Sequence, residues 1–135
     1  MIRHLTISTP GQGLHEFTRE AETLVHDSGV REGLCTFFIQ HTSASLLIQE
    51  NADSSAKRDL ERWLNRFVVE NDSLYTHRNE GSDDMPAHIK SALTSTSVSI
   101  PVSEGRLALG TWQGVFLWEH RHRGGARKII VHIAE

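Results

Sequence analysis

The chain has 135 residues, of which 38% are hydrophobic and 23% charged, and its formal net charge is −3. This length predicts one domain, residues 1–135, with enough chain to bury a core, and the composition is typical of a soluble globular protein. The negative charge argues against a generally basic nucleic-acid binder, and no segment approaches the roughly 18 consecutive apolar residues of a membrane helix.

The first quarter of the chain predicts one strand and one amphipathic helix. Residues 3–8 alternate in polarity, and the Pro and Gly residues at positions 10–13 predict a turn after them. Thr18 is a suitable cap for a helix that ends near Gly29. The predicted inner face of this helix consists of Phe17, Ala21, Leu24 and Val25. The amino-terminal segment lacks the apolar core of a signal peptide, so we expect a cytoplasmic protein.

Two strands and the longest helix are predicted next. Residues 34–40 are rich in Phe and Ile without strict alternation, which predicts a strand buried on both faces or at a subunit contact. This strand holds the single cysteine, Cys35, so a disulfide within the chain is excluded. Residues 44–49 predict another strand, and Asp53 or Ser54 begins a helix. The predicted inner stripe of that helix is Ala56, Leu60, Trp63, Leu64 and Phe67.

The second half of the chain predicts a polar loop, a short helix and four strands. Residues 71–84 form the loop, and Pro86 fits the first helical position after a cap at Asp84 or Met85. Ile89, Ala92 and Leu93 are the expected inner face of this helix. Residues 98–134 predict four strands with turns near S-E-G, T-W-Q-G and R-G-G-A. Strands outnumber helices without a repeating strand–helix unit, which favours a single α+β domain on a mainly antiparallel sheet.

Candidate site residues lie mostly at the ends of predicted elements. The chain has none of the phosphate-loop, dinucleotide, H-E-x-x-H or C-x-x-C motifs, but it has nine histidines. His41 is followed by Thr42 and Ser43, a hydroxyl pair suited to hydrogen-bonding an anion. His41 itself could ligate metal, transfer protons or satisfy loop carbonyls. A Ser–His nucleophile is disfavoured, since neighbouring strand residues point to opposite faces and no nucleophile elbow is present.

At the other end of the same predicted strand are Glu50, Asn51 and Asp53. Asp53 suits the helix cap, whereas Glu50 and Asn51 are free to bind a cation or a substrate hydroxyl. At about 3.3 Å per residue, His41 and Glu50 are roughly 30 Å apart in an extended chain. The two clusters cannot meet locally, so each needs partners from another segment or subunit.

Three features near the end of the chain have both a functional and a structural interpretation. His88 borders the buried stripe of its helix, so it can face a cleft or simply be half-buried. His120 and His122 have H-x-H spacing, which occurs in metal sites and also by chance in a His-rich chain. Around R-G-G-A, the cationic side chains predict an anion-binding hairpin or a solvated turn. They are Arg121, Arg123, Arg127 and Lys128.

Four motifs together resemble the YjbQ family, also labelled secondary thiamine-phosphate synthase. They are H-T-S-A-S-L-L-I-Q-E-N-A-D (residues 41–53), P-A-H-I-K (86–90), S-I-P-V-S-E-G-R-L-A-L-G-T-W-Q-G (99–114) and W-E-H (118–120). The resemblance spans nearly the whole chain, and L-G-T-W-Q is its most specific part. The family motif usually continues N-A-D-P, whereas Ser54 follows Asp53 here, and both residues fit a first helical turn.

The resemblance implies a β-sandwich-like core with two or three helices, assembled as a homotrimer with polar clefts between subunits. It implies transfer of a pyrimidine methyl diphosphate onto a thiazole phosphate, with a divalent metal, Mg²⁺ or Zn²⁺. With this resemblance, we expect catalytic roles for His41, His88 and Glu50. We expect metal binding by His41, His88, Asp53 and Glu119. Substrate or anion contacts fall on Thr42, Ser43, Asn51, Trp112, Gln113, Arg121, Arg123 and Arg127.

Three classes of function are therefore compared. The first is a small trimeric enzyme, a transferase acting on a phosphorylated metabolite, and the second is a non-catalytic module that binds a metal or an inorganic anion. The third, a nucleic-acid binder acting through the basic hairpin, is disfavoured by the net acidity. Turnover of a phosphorylated substrate, as opposed to binding alone, discriminates the first class from the second.

Overall fold

The computed structural model describes residues 1–135 and contains eight strands and three helices. No helix is both long and apolar enough to cross a membrane. The strands are β1 (Ile2–Ser8), β2 (Gly11–Glu16), β3 (Gly33–Ile39), β4 (Ala44–Glu50), β5 (Ser97–Ser103), β6 (Arg106–Leu107), β7 (Gln113–Arg123) and β8 (Ala126–Ala134). The helices are α1 (Thr18–Ser28), α2 (Ser54–Phe67) and α3 (Asp84–Leu93).

The strands form two antiparallel sheets that enclose the main core. The large sheet has the order β1-β8-β3-β5-β6, and the small sheet has the order β2-β7-β4. Side chains of both sheets and of α1 pack in one apolar cluster, which includes Phe17, Phe37, Leu46, Leu117 and Val131. The prediction of an α+β domain with a mainly antiparallel, sandwich-like core is confirmed.

The opposite face of the small sheet supports the site. Leu14 and Trp118 from this sheet pack with Leu64 and Val68 from the α2 region in a second apolar cluster. The helix α3 lies against β4 and β7, where the Ser91 hydroxyl donates a hydrogen bond to the Ala44 carbonyl at 2.9 Å. This packing places α3 beside the beginning of β4.

The prediction that β3 is buried on both faces is wrong within one chain. Cys35, Phe37 and Ile39 are buried, whereas Leu34 and Phe38 are 46% and 47% exposed. The strand therefore alternates, with one face in the sandwich core and the other on the outside of the large sheet. The alternative that this outer face is a subunit contact stays a prediction.

Two predictions in the amino-terminal region are also wrong. The predicted turn at positions 10–13 contains the beginning of β2, which pairs with β7 through an irregular register between Gly11 and Gly13. Thr18 is the first residue of α1 and makes no side-chain cap. Instead, its hydroxyl donates to Glu16 at 2.7 Å and accepts from the Val115 amide at 2.9 Å, which ties the helix to β7.

The inner faces of α2 and α3 differ from the predicted ones. In α2, Leu64 is buried, but Trp63 and Phe67 are exposed and stack on each other with 5.5 Å between ring centroids. In α3, Ala92 and Leu93 are exposed, because the small side chains of Ala87 and Ser91 let the opposite face approach the sheet. Helix α3 also begins earlier than predicted, at Asp84, so that Pro86 is its third residue.

Candidate functional site

Strand β4 separates two groups of polar side chains, as the sequence predicts. Ala44 at its beginning pairs with Glu119 of β7, and Glu50 at its end pairs with Gln113. Six residues of extended chain place these two pairs about 20 Å apart. The group at the beginning of β4 is the more densely connected one, because α3 and the loop before it also reach that end.

A cluster of His77, Asp84 and His88 forms the centre of this group. The Asp84 Oδ2 atom lies 2.7 Å from His77 Nε2 and 3.1 Å from His88 Nε2. One ligand atom from each residue lies within 4.8 Å of the others. Asp84 and His88 are one turn apart on α3, and the polar loop supplies His77.

The hydrogen bonds around His88 favour a cation between its ring and Asp84. The Thr42 carbonyl oxygen, which can only accept, lies 3.0 Å from His88 Nδ1, so this nitrogen carries the hydrogen. His88 Nε2 then carries a lone pair and faces a carboxylate oxygen. A proton or a metal ion between them turns this repulsion into attraction. A backbone carbonyl that holds the distal ring nitrogen is also the usual support of a metal-ligating histidine.

The carboxylate of Asp84 is fixed by Arg121. The Arg121 Nη1 atom donates to Asp84 Oδ1 at 2.7 Å, and its Nε atom donates to Asp83 Oδ2 at 3.0 Å. Burial acts to raise the pKa of Asp84, but the His77 hydrogen bond and the positive charge of Arg121 outweigh it and hold the pKa below its usual value. Asp84 is therefore ionised near neutral pH, and its Oδ2 atom is directed at the two imidazoles.

A second network connects His41 to a buried ion pair. Arg127 Nε donates to Glu119 Oε1 at 2.6 Å, and Thr9 Oγ1 donates to the same oxygen at 2.7 Å. Arg127 Nη1 lies 2.9 Å from His41 Nε2. The Ser43 amide donates to His41 Nδ1 at 2.9 Å, and the Ser43 hydroxyl lies 3.1 Å from His88 Nδ1. Ser43 thus joins the His41 network to the His77–Asp84–His88 cluster.

Burial and the Arg127 charge lower the pKa of His41, so its ring is neutral near pH 7. Glu119 is fully buried and already bonded to Arg127 and Thr9. It lies outside the three-residue cluster that could hold a metal. In this chain Glu119 positions Arg127, and its predicted metal-binding role finds no support in the geometry.

At the other end of β4, Asn51, Asp53 and Gln113 make hydrogen bonds to neighbouring parts of the same chain. Asp53 Oδ1 accepts from the Ser55 amide at 2.9 Å, which makes it the cap of α2, as predicted. The Asn51 side chain donates to Glu16 at 3.0 Å, and Gln113 accepts from the Gly110 amide at 2.7 Å. Glu50 lines an open cavity of about 250 Å³ in this region. Trp112 is 63% exposed.

Serine–histidine pairs exist, but they are not the pair suggested by the sequence. The Ser43 hydroxyl contacts His88, and only the Ser43 backbone amide contacts His41, whereas the Ser45 hydroxyl contacts His120 at 2.9 Å. Ser43 and Ser45 are 2% and 0% exposed, so neither hydroxyl is placed to attack a substrate. His120 is buried and His122 pairs with Glu70 at the surface, so the H-x-H spacing does not form a shared metal site.

Sequence reasoning assigned a site role to only one of the three cluster residues, His88. Asp84 resembled a helix cap, and His77 lay in a polar loop whose path no local pattern defines. The available signal was the spacing D-x-x-x-H on a short helix, which places Asp84 and His88 on one face. Arg121 was expected to bind an anion, but two carboxylates occupy it, and Arg123 is exposed and makes no side-chain bond.

A cavity of about 410 Å³ opens beside the cluster and shares His77 with it. Its walls come from the polar loop, including Tyr75 and Arg78, and from Met85 at the beginning of α3. A mixed polar and apolar lining of this volume is sufficient for a small metabolite. The remaining lining residues are Asn71, Asp72, Ser73, Gly81 and Ser82.

Comparisons with known proteins agree with the motif resemblance. Residues 3–135 match the family model described as UPF0047 protein YjbQ-like. The chain is 55% identical to the UPF0047 protein sll1880 of Synechocystis, over 96% of this chain and 88% of that protein. It is 46% identical to the UPF0047 protein YjbQ of Escherichia coli O157:H7, over 93% and 91%. The crystal structure of a YbjQ-like protein from Sulfolobus solfataricus, 29% identical, superposes with a TM-score of 0.89 over 98% and 95% of the two chains.

Proposed function

The chain belongs to the UPF0047 family of YjbQ-like proteins, and from this membership we propose that it is a metal-dependent enzyme acting on a phosphorylated metabolite. His77, Asp84 and His88 hold the divalent metal. The observation that carries the proposal is that Asp84 Oδ2 lies 3.1 Å from His88 Nε2, on a ring whose Nδ1 atom contacts the Thr42 carbonyl, and 2.7 Å from His77 Nε2. A cation bound beside Asp84 Oδ2 would pair the lone pair of His88 Nε2 with the carboxylate and would replace the hydrogen that His77 donates.

The donor set favours Zn²⁺ over Mg²⁺. Imidazole nitrogens suit zinc and other late transition ions, whereas magnesium prefers oxygen ligands. Two histidines and one carboxylate also leave coordination positions free, which is the pattern of catalytic rather than structural zinc sites. The expected Mg²⁺ is better suited to accompany a diphosphate substrate than to occupy this cluster.

The reaction that we propose joins a pyrimidine methyl diphosphate to a thiazole phosphate. The bond between the methylene carbon and the diphosphate oxygen breaks, and a bond from that carbon to the thiazole nitrogen forms. The electron pair leaves with diphosphate, so the charge on the departing oxygen is what the site must stabilise. A bound divalent cation supplies this stabilisation as a Lewis acid.

The protein's own groups orient the site. Arg121, which also donates to Asp83, donates to Asp84 Oδ1, so Oδ2 remains directed at the cluster. The Thr42 carbonyl fixes the tautomer of His88. The cavity beside His77 provides space for the organic part of the substrate, with Arg78 and Tyr75 at its wall. Fixed orientation of this kind lowers the reorganisation required at the moment of reaction.

Metal titration tests the first part of the proposal. Calorimetry with Zn²⁺ should show one site per chain, and His77→Ala should weaken it by more than about tenfold because a ligand is lost. His26→Ala is the matched control, since His26 is an exposed surface histidine paired only with Asp27. Equal zinc affinity in the wild type and in His77→Ala would remove the proposed centre.

Turnover tests the second part. The zinc-loaded protein should form thiamine phosphate and diphosphate from the two precursors, and His77→Ala should lose this activity. If zinc binds at the cluster and no phosphorylated substrate reacts, the alternative of a non-catalytic metal- or anion-binding module replaces the enzyme.

We also propose the homotrimer that the family resemblance implies. Large apolar side chains are exposed on the outside of the large sheet and on α2, including Phe38, Trp63 and Phe67. Aromatic side chains are enriched at protein interfaces relative to the rest of the protein surface. Sedimentation analysis should give three times the mass of the chain, and a monomer at micromolar concentration would contradict the proposal.

A further inference from the structure

We infer that His41 and Arg127 together bind an oxyanion, a phosphoryl oxygen, next to the His77–Asp84–His88 cluster. The starting observation is that both ring nitrogens of His41 face hydrogen-bond donors. The Ser43 amide lies 2.9 Å from Nδ1, and Arg127 Nη1 lies 2.9 Å from Nε2. Backbone amides and guanidinium groups cannot accept hydrogen bonds.

No protonation state of His41 satisfies both contacts. With the hydrogen on Nε2, the Ser43 bond is good and the Nε2–H group faces an N–H group of Arg127. With the hydrogen on Nδ1, the conflict moves to the Ser43 amide, and a doubly protonated ring has both conflicts. The Ser43 N–H group is part of the backbone and cannot rotate away from the ring. His41 Nδ1 therefore accepts from it, and Nε2 carries the hydrogen. Two donors, His41 Nε2–H and Arg127 Nη1, then converge.

An acceptor oxygen beside these two donors resolves the conflict. The Arg127 side chain cannot turn away freely, because its Nε atom is bonded to Glu119 at 2.6 Å and Glu119 is fully buried. Thr9 holds the same carboxylate oxygen. The guanidinium is therefore positioned in advance with Nη1 toward His41, which is the arrangement of a fixed anion-binding pair.

The other arginines nearby do not offer equivalent sites. Arg121 is already bonded to Asp83, Asp84 and the Glu80 carbonyl. Arg123 is exposed and has no carboxylate that fixes its side chain. Ser43 links the His41–Arg127 pair to His88, so an anion held there adjoins the metal cluster. The identification of this anion as a phosphoryl group of the substrate rests on the proposed function, whereas the convergence of donors does not.

Calorimetry with inorganic diphosphate and inorganic phosphate, in the presence of a chelator, tests the inference without metal or turnover. Both anions should bind the wild type, and acetate should bind far more weakly. His41→Phe and Arg127→Lys should weaken diphosphate binding by about 10- to 100-fold, since each removes a charge-assisted or directed hydrogen bond. Arg123→Lys is the matched control, a hairpin arginine with the same charge retained, and should bind as the wild type does.

Arg127→Lys keeps a positive charge beside Glu119, and thermal unfolding checks that it is folded. Nitrogen NMR of the imidazoles gives an independent measurement: the free protein should carry the His41 hydrogen on Nε2, and that resonance should shift when phosphate is added.

Each of the following outcomes overturns the inference: no anion binding, equal binding by the variants, an equal loss in Arg123→Lys, acetate affinity equal to that of phosphate, or a hydrogen on Nδ1. Because metal is absent, failure here leaves zinc binding by the cluster untouched, and loss of zinc binding leaves this result untouched.

Discussion

His120 and His122 show how strongly the surroundings of one residue decide its chemistry. His120 is 1% exposed and contacts Ser45, and burial lowers its pKa to about 3. His122, two positions further along β7, is exposed and pairs with Glu70. The same residue type in one short motif is thus a neutral core side chain in one case and a surface group that contacts a carboxylate in the other.

The buried His120 predicts that stability falls as the pH is lowered. The unfolded chain binds a proton at this histidine near its usual pKa of 6.5, whereas the folded chain does not until about pH 3. Between these values the free energy of unfolding should decrease by up to about 1.4 kcal/mol per pH unit from this group alone. Urea unfolding near pH 7 and near pH 5 measures it. His120→Gln should show a shallower pH dependence, and an unchanged slope would contradict the assignment.

Asp53 gives a second prediction at this scale. The Asp53 carboxylate accepts hydrogen bonds from the Ser55 amide and from the Ser55 hydroxyl, and these bonds lower its pKa. The cap therefore stabilises the folded chain above the ordinary aspartate pKa, and this contribution is lost as the pH falls through the lower folded value. Asp53→Ala should lower the thermal midpoint at neutral pH. Asp59→Ala, an exposed position inside α2, is the control and should have a smaller effect.

Among the elements, the hairpin between β7 and β8 connects sheet geometry to the site. The Gly125 amide donates to Thr9 Oγ1, and Thr9 in turn holds Glu119 and therefore Arg127. A Cβ atom on Gly124 would lie 1.9 Å from the Thr9 carbonyl oxygen, so the two backbones touch there. The anion-binding pair depends on this close approach.

Gly124→Ala should therefore destabilise the fold by about 1–3 kcal/mol, because the hairpin must move away from Thr9. Gly125→Ala is the neighbouring control, since the nearest atom to its added Cβ would be a side-chain atom, Arg127 Nη1 at 3.3 Å, which has to shift by only a few tenths of an ångström. Denaturant unfolding of the two variants measures the difference. Equal stability losses would show that backbone contact at Gly124 is not what restricts this position.

The helix α3 shows what local pattern can and cannot predict about an element. Its existence follows from the sequence and Ile89 packs inward as predicted, but its beginning was placed too late, and Ala92 and Leu93 of its predicted inner face are exposed. The cause is that Lys90 and Ser91 face inward. Lys90 donates to Asn65 at 2.5 Å, and Ser91 donates to Ala44. Polar residues at buried positions contradict hydrophobic periodicity, because their partners come from distant segments.

At the scale of the whole molecule, the length of β4 keeps two polar regions apart within one chain. Glu50 lies at the end of β4, whereas His41 precedes its beginning. We expect Glu50→Gln to leave both zinc affinity and diphosphate affinity unchanged. Calorimetry with the same ligands as above checks this. A loss of affinity would mean that another subunit brings its Glu50 to the cluster. Trimers assembled from a mixture of Glu50→Gln and cluster variants would then demonstrate this.

The sequence by itself determined the class of the fold, most of the strands and the cap at Asp53, whereas a functional role of His41 and His88 stays a prediction. These follow from local causes: alternation sets strand faces, capping satisfies free amides, and histidines at element ends are available for chemistry. Motif resemblance added the family, which the comparisons confirm.

Only the tertiary structure decided which side chains meet. It brought His77 from a patternless loop to Asp84 and His88, turned Arg121 into a support for Asp84, and placed Arg127 against His41. It also put β2 beside β7, where a run with Pro and Gly predicts only a turn. The physical reason is that most of these contacts join residues far apart in sequence, and that His77, although only seven positions from Asp84, lies in a loop without periodicity. Their partners are fixed by the packing of two sheets and α3, which no local periodicity encodes.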